Sequence, residues 1–347
     1  MKKSLVALAA LAFVGAAFAQ SSVKLTGTVD ATLAYGSGDV ANKSALSNSG
    51  LNSSEFRFTA VEDLGGGLKV GAVLAAGINN DNGSGGSTNT NNQSTGGTTG
   101  GGLVFNRKSL LRLMGGFGEI KAGRDYTPAF WTEAIYDPFG INGVGTSRAF
   151  QGGAAYTGSV AVRASNSIGY VSPNMGGFDV WAQVYTGEAA SNVNATADGG
   201  QFQVNYGAGP LNLSAAYGKT NAGSGVDSEV SNAAAMYNFG AFTLQGYVQK
   251  NKLTGSHDID GYLVGGSMPM GAGLIRASYS NTDNGTAKTG QFAIGYVYNL
   301  SKTTQLYGTF ASVTNDGYAS GTPGLNGGVP SLNGSSTGID VGMSMAF

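Results

Sequence analysis

Ile339-Asp340-Val341-Gly342-Met343-Ser344-Met345-Ala346-Phe347 closes the chain, and it alternates without a break between apolar and polar or small residues. In an extended strand successive side chains point to opposite faces, so this stretch has one oily face and one wet face. The same period of two recurs upstream. Phe202, Val204 and Tyr206 alternate with Gln201, Gln203 and Asn205, and Leu211, Leu213, Ala215 and Tyr217 alternate with Asn212, Ser214 and Gly218. Near the start, Val23, Leu25, Val29, Leu33 and Tyr35 alternate with Lys24, Thr26, Thr28, Asp30 and Thr32. No apolar run after residue 20 approaches the ~18 residues of a membrane helix.

Composition says where the oily faces go. Only 11% of the 347 residues are charged and 59 are Gly, while Tyr and Phe number 16 each. Soluble domains carry about 25% charge and ~7% Gly. Disordered chains lack aromatics. Helical membrane proteins are far more apolar than 41%. In a soluble sandwich each oily face would pack on a second sheet. Here the apolar sets are rich in Gly, Ala and isolated aromatics, and the opposite face is filled with Gln, Asn, Ser and Thr. That pattern fits an all-β transmembrane barrel with hydrocarbon outside and water inside, in which mean hydropathy cancels to near zero.

Sixteen segments of about spanning length, from 23–35 to 338–347, satisfy this pattern. The number is even, as an antiparallel single-chain barrel requires. Segment 259–268 alternates least clearly. Short connections such as Asp63–Gly66 and Gly115-Gly116 alternate strictly with long ones: 36–52, 79–102, 125–159, 187–199, 220–229, 251–258, 282–288 and 313–337. Tight turns on one side and longer loops on the other are expected of such barrels. Loop 79–102 is low-complexity Asn/Gly/Ser/Thr and is expected to be solvated.

Residues 1–19 read as a cleavable export signal: Lys2 and Lys3, an apolar stretch from Leu5 to Phe18, and small residues at Ala17 and Ala19. Residues 20–347 then form a single barrel domain. The formal charge is −1, and −3 without Lys2 and Lys3, so no nucleic-acid partner is expected. With no Cys and one histidine, His257, in a predicted external loop, neither a thiol site nor a His-based hydrolase or metal site is supported. Gly65-Gly66-Gly67 joins two strands and lacks the Lys-Ser/Thr of a phosphate loop. The chain is therefore expected to be no enzyme and to need no cofactor or metal.

Several blocks carry a family resemblance. They are Ser22-Val23-Lys24-Leu25-Thr26-Gly27, Ser54-Glu55-Phe56-Arg57-Phe58, Glu62 through Lys69, and Gly116-Phe117-Gly118-Glu119. Gly123-Arg124-Asp125-Tyr126-Thr127-Pro128, Tyr136-Asp137-Pro138-Phe139-Gly140, Arg163 through Pro173, and terminal Phe347 complete the set. In these the chain resembles the Gram-negative general porins of the beta-proteobacterial and neisserial type; it departs at Arg112 and Met114, where that family has small or apolar residues. The resemblance implies a homotrimer of sixteen-stranded barrels in the cell outer membrane, with the long third loop folded into each pore. It implies passive diffusion of small ions and hydrophilic solutes. Outer-membrane lipid and lipopolysaccharide are the expected surroundings. Phe347 resembles the insertion signal read by the barrel-assembly machinery. A substrate-specific outer-membrane channel is the alternative; it would need a stripe of lumen aromatics, and parity supplies only Trp181 and Tyr185.

Such a pore works by aperture and field. A charge facing lipid at mid-bilayer costs ~2–4 kcal/mol, so Arg57, Arg107, Arg163, Lys24 and Lys69 are assigned to the lumen, together with Glu55, Asp30, Asp179 and Asp340. The resemblance points Arg124 into the constriction. The expected constriction is a basic cluster of Arg57, Arg107, Arg124 and Arg163 facing loop acids Glu133 and Asp137. Four wall arginines against these acids predict mild anion selectivity, although acidic external loops pull the other way. Tyr170, Tyr206, Tyr237, Tyr296 and Phe310 suit aromatic girdles.

Overall fold

The structure is a computed structural model that describes residues 21–86, 102–157, 160–187, 197–223 and 225–347. The expected export signal, 1–19, and most of the low-complexity loop lie outside the described residues. Sixteen strands form one antiparallel ring. They are β1 Ser22–Gly38, β2 Glu55–Gly65, β3 Leu68–Asn79, β4 Lys108–Gly115, β5 Gly118–Tyr126, β6 Arg163–Val171, β7 Phe178–Tyr185 and β8 Gly199–Ala208. The ring continues with β9 Leu211–Gly223, β10 Val226–Asn238, β11 Thr243–Leu253, β12 Ile259–Met270, β13 Gly273–Asp283, β14 Lys288–Asn299, β15 Thr304–Asp316 and β16 Ser336–Ala346. Two short strands, Lys43–Asn48 and Ser84–Gly85, are loop embellishments. The predicted segments all appear, but β4 begins at Lys108 rather than 103.

β1 closes the ring. Its residues Ser22–Thr28 pair with Val61–Glu55 of β2, and Thr28–Gly38 pair with Ala346–Ser336 of β16. The two halves use opposite edges, which is the stagger a closed barrel needs. Among the described residues, closure pairs every spanning strand with a neighbour on both sides, so the sheet has no free edge strand to meet hydrocarbon. The apolar set faces outward: Val23 is 77% exposed and Leu33 65%, whereas Asp30 and Thr32 between them are 0% and 1%. At the seam, Phe347 N donates to Gly27 O and Gly27 N to Phe347 O, both at 3.0 Å. The Phe347 ring occupies the space that a Cβ on Gly27 would need.

At the short-turn end, Tyr170, Tyr206, Tyr237 and Tyr296 stand outward beside the turns. Tyr170 Oη donates to Phe117 O, and Tyr296 Oη to Met270 O. Phe310 does not join this girdle; it pairs with Ile339 midway along β15, where the strand is deepest in the hydrophobic band. The opposite girdle contains Tyr35, Tyr217, Tyr262 and Tyr279, none of which the sequence reading assigned to a girdle.

Three expected long loops are shorter than the sequence suggests. β9 and β10 extend to Gly223 and Val226, β11 to Leu253 while β12 begins at Ile259 as expected, and β13 and β14 extend to Asp283 and Lys288. Beyond the second girdle the outward positions turn from apolar to charged. Cross-strand pairs such as Lys219–Asp227 at 2.7 Å and Lys288–Asp283 at 2.9 Å keep the hairpins zipped in water. A spanning strand needs only ~9–11 residues, so the thirteen-residue β9 and β10 protrude.

Candidate pore lining and constriction

The third long connection carries two helices, α1 Pro128–Tyr136 and α2 Arg148–Thr157. Thr127 caps α1 by accepting from Phe130 N, and Pro128 takes the first helical position, where a missing N–H costs nothing. Pro128, Ala129, Thr132, Glu133 and Tyr136 make the buried face. That face lies on the polar, inward side of the wall. Gln201 accepts from Ala129 N at 3.1 Å, Gln203 donates to the Thr132 hydroxyl at 2.8 Å, and that hydroxyl meets Ser214 Oγ at 2.9 Å. Farther along, Asp340 accepts from Val144 N at 2.7 Å, Ser280 from Arg148 N at 2.9 Å, and Ala149 O from Gln249 Nε2 at 2.6 Å. The connection thus crosses the bore and is stitched to strands from β8 to β16. The glutamines and serines that alternate with lipid-facing residues are its docking surface.

The four arginines expected to cluster do so, on the wall from β2 to β6. Glu55 binds Arg57 at 2.5 Å and Arg107 at 2.8 Å. Arg107 and Arg163 both donate to the Tyr126 hydroxyl, at 3.2 and 3.0 Å, and the Arg163 guanidinium lies 4.4 Å from the centre of that ring. Tyr126 is itself stacked on Phe130 of α1, centroids 5.1 Å apart. Arg124 donates to Ser165 Oγ at 2.9 Å and to Asn106 O at 2.6 Å. Arg107 reaches the lumen by a different route from the one expected. In β4 the inward set is Lys108, Leu110, Arg112 and Met114, which oppose Ala75, Val73, Gly71 and Lys69. Arg107 precedes the strand, so irregular backbone, not parity, turns it inward.

Below this cluster the wall stays basic. Lys108 and Lys121 share Asp125 at 2.7 and 3.0 Å, and Arg112 holds Glu119 at 2.7 Å. A recess of about 220 Å³ is lined by these groups and Arg57. Lys121 also sits 4.0 Å above the Trp181 ring. Lys24 and Lys69 take inward register positions, opposite Thr59 and Met114. Sequence reading missed Lys108, Lys121 and the inward aim of Arg112. Counting parity from the outward Leu111 and Leu113 finds Lys108 and Arg112, and Lys121 follows from its register opposite Arg112.

The loop acids do not face the arginines. Glu133 is 5% exposed, with Asn232 donating to its carboxyl at 3.1 Å; Asp137 is 3% exposed and accepts from Phe139 N and Ser147 N at 2.8 and 3.1 Å. Both belong to the surfaces that attach the loop, because a helix one turn thick cannot present one stripe to wall and aperture at once. Burial pushes Glu133 up to about 8, against the Asn232 hydrogen bond and with help from Asp137. Burial raises Asp137 to about 6, opposed by its backbone hydrogen bonds and by Arg276. Asp30 is likewise withdrawn from the lumen. It accepts from the backbone N–H groups of Gly50, Leu51 and Asn52 and from the Tyr307 hydroxyl, and so pins the first loop. Glu55, Glu119 and Asp125 are the acids that sit among the arginines and lysines of this wall.

A model of the Gram-negative porin family matches residues 5–318. Outer membrane porin protein 32 of Delftia acidovorans is 36% identical over 367 residues, covering 100% of both chains. An outer membrane porin protein of Bordetella pertussis is 29% identical over 378 residues, covering 88% of this chain and 93% of the relative. Among solved structures, an anion-selective porin from Comamonas acidovorans superposes with a TM-score of 0.80 at 34% identity, covering 94% of this chain and 100% of that one. OmpT of Vibrio cholerae, at 13% identity and a TM-score of 0.65, shares the fold; the match covers 94% of this chain and 98% of that one. With the closed ring, its oily exterior and its polar bore, these matches place the chain in the Gram-negative porin family, as an integral β-barrel of the outer membrane.

Proposed function

We propose that the bore is a water-filled path for passive diffusion of small hydrophilic solutes and ions, with a mild preference for anions. The observation that carries the preference is the wall from β2 to β6. There Arg57, Arg107, Lys108, Arg112, Lys121, Arg124 and Arg163 outnumber Glu55, Glu119 and Asp125, and two of these carboxylates are each shared by two cations. The connection carrying α1 and α2 docks on the wall from β8 to β16 and leaves a positive strip along the other side of the passage. Anions gain favourable contacts in sequence along it, each weak enough to release. The name of the Comamonas relative, an anion-selective porin, supports the same sign. A homotrimer fits the family, and a trimer form is recorded for OmpT. Cleavage after residue 19, Phe347 as the signal read by the assembly machinery, and a setting of lipid and lipopolysaccharide complete the proposal.

Planar-bilayer recording tests it. Conductance steps in triplets and a reversal potential of anionic sign in a salt gradient are expected. Arg57→Glu with Arg124→Glu should move the reversal potential toward cations. An unchanged potential would remove both residues from the constriction.

A further inference from the structure

Helix α1 keeps one apolar face open inside the bore. Pro128, Ala129, Thr132, Glu133 and Tyr136 are its buried side, packed on the wall. Trp131 and Ile135, one helical turn apart, take the other side and are 40% and 43% exposed. Among the described residues of α1 and α2, no other large apolar side chain is as exposed. The ring of strands encloses the helix and its buried side bonds to inward residues, so the open face looks onto the passage. Trp131 N donates to Thr127 O at 3.1 Å, in the capped first turn, which fixes where the indole stands. Its ring centre lies 5.5 Å from that of Tyr126. Tyr126 is where the aromatic and basic sides of the bore meet. Phe130 stacks on it, while the Lys108 ammonium and the Arg163 guanidinium lie 5.0 and 4.4 Å from its ring centre. One ring therefore separates the exposed indole from the arginines. Arg57, at the far end of that cluster, keeps 36% of its side chain exposed.

We propose that this place is a subsite for aromatic carboxylates of the size of benzoate, with the ring against Trp131 and Ile135 and the carboxylate on the arginines. A small inorganic anion uses the cations alone. The indole and the isoleucine contribute nothing to it, and water wets them poorly. A flat aromatic acid uses both halves. Its ring lies on the indole in the offset arrangement that aromatic pairs prefer, and its carboxylate takes charge-assisted hydrogen bonds from the guanidinium groups. A dicarboxylate would satisfy the cations and leave the apolar face wet. A neutral aromatic would cover that face and take nothing from the arginines. The barrel wall does not supply this surface, since Trp181 is 7% exposed with Lys121 over its ring. The helix supplies it, beside the arginines and open to the passage, so a bound acid can also leave.

The subsite rests on the anion-conducting reading of the bore and adds a substrate class to it. The test records chloride current through the purified protein in a planar bilayer at neutral pH while benzoate or cyclohexanecarboxylate is added. The two acids share charge and approximate size, but only benzoate has a flat aromatic ring. Benzoate should halve the current at a concentration at least about threefold lower than cyclohexanecarboxylate. Trp131→Ala should raise the half-blocking concentration of benzoate at least about tenfold, and Trp131→Phe, which keeps a ring, should stay within about threefold of the wild type. Arg57→Gln should weaken block by both acids alike. Equal block by the two acids in the wild type overturns the proposal, and so does wild-type block in Trp131→Ala or in Arg57→Gln. The wild-type reversal potential in a potassium chloride gradient reports separately on the reading beneath it. A cationic sign there would sink the anion preference itself, whereas an anionic sign without a preference for benzoate would sink the subsite alone.

Discussion

Glu55 is the residue on which the basic wall is hinged. Its two oxygens are divided between Arg57 and Arg107, and with Tyr126 it holds three guanidinium groups in one array. Glu55→Gln removes a negative charge while keeping a hydrogen-bond acceptor, so the reversal potential should move further toward anions. A shift toward cations would mean that the arginines had collapsed without their anchor. Glu133 makes a different prediction, because its carboxyl is buried where the loop meets the wall. Its folded pKa, about 8, lies above the ordinary carboxyl value, so folding favours the protonated form. Loop attachment is therefore strongest below about pH 4.5 and weakens as pH rises through 8. Current noise from loop motion should grow between about pH 6 and 8, above the Asp137 range, in the wild type and stay flat over that interval in Glu133→Gln. Sequence alternation placed Arg57 and Arg163 on the inward face, where both meet the cluster. It could not have found this role for Glu133, because whether a helix faces the wall or the aperture depends on what the wall offers it.

At the scale of the element, strand β5 shows how a local irregularity serves the site. The β5–β6 register shifts between Gly123 and Asp125. Gly123 sits at φ 131°, a conformation side chains avoid, with the Ser109 carbonyl where a Cβ would stand. The bulge lets Arg124 and Asp125 both reach the lumen side, which strict alternation forbids. Gly123→Val should cost roughly 1–3 kcal/mol through strain and overpacking. It should also reduce anion preference by turning Arg124 away, measurable as a lower melting temperature together with a smaller reversal potential. The Gly-Arg-x-Tyr-Thr-Pro resemblance identified the arginine, but its geometry was not legible in the period of two. The same limit explains Arg107, whose inward aim comes from the irregular backbone before β4. Loop-side strand ends were also misjudged for β9, β10, β11, β13 and β14, since cross-strand ion pairs extend the hairpins where apolar alternation has already stopped.

For the whole molecule, the ring depends on one seam. β1 is split between β2 and β16, and the chain's last residue completes it by exchanging two backbone hydrogen bonds with Gly27. Gly27→Val should collide with the Phe347 ring and lower the temperature at which the barrel unfolds in detergent, read as the shift from compact to extended mobility on a gel; an unchanged transition would show that the ring can reseat elsewhere. The barrel itself was written in the chain. Period-two patterning, scarce charge and alternating short and long connections leave few other ways to satisfy backbone and side chains, because hydrocarbon admits only faces that are apolar throughout. Which lumen charges face the passage was decided by tertiary structure alone. Loops one and three fold back into the bore, take Asp30, Glu133 and Asp137 as anchors, and leave the basic wall lining the passage. Parity tells inside from outside, but burial within the inside depends on contacts between residues hundreds of positions apart.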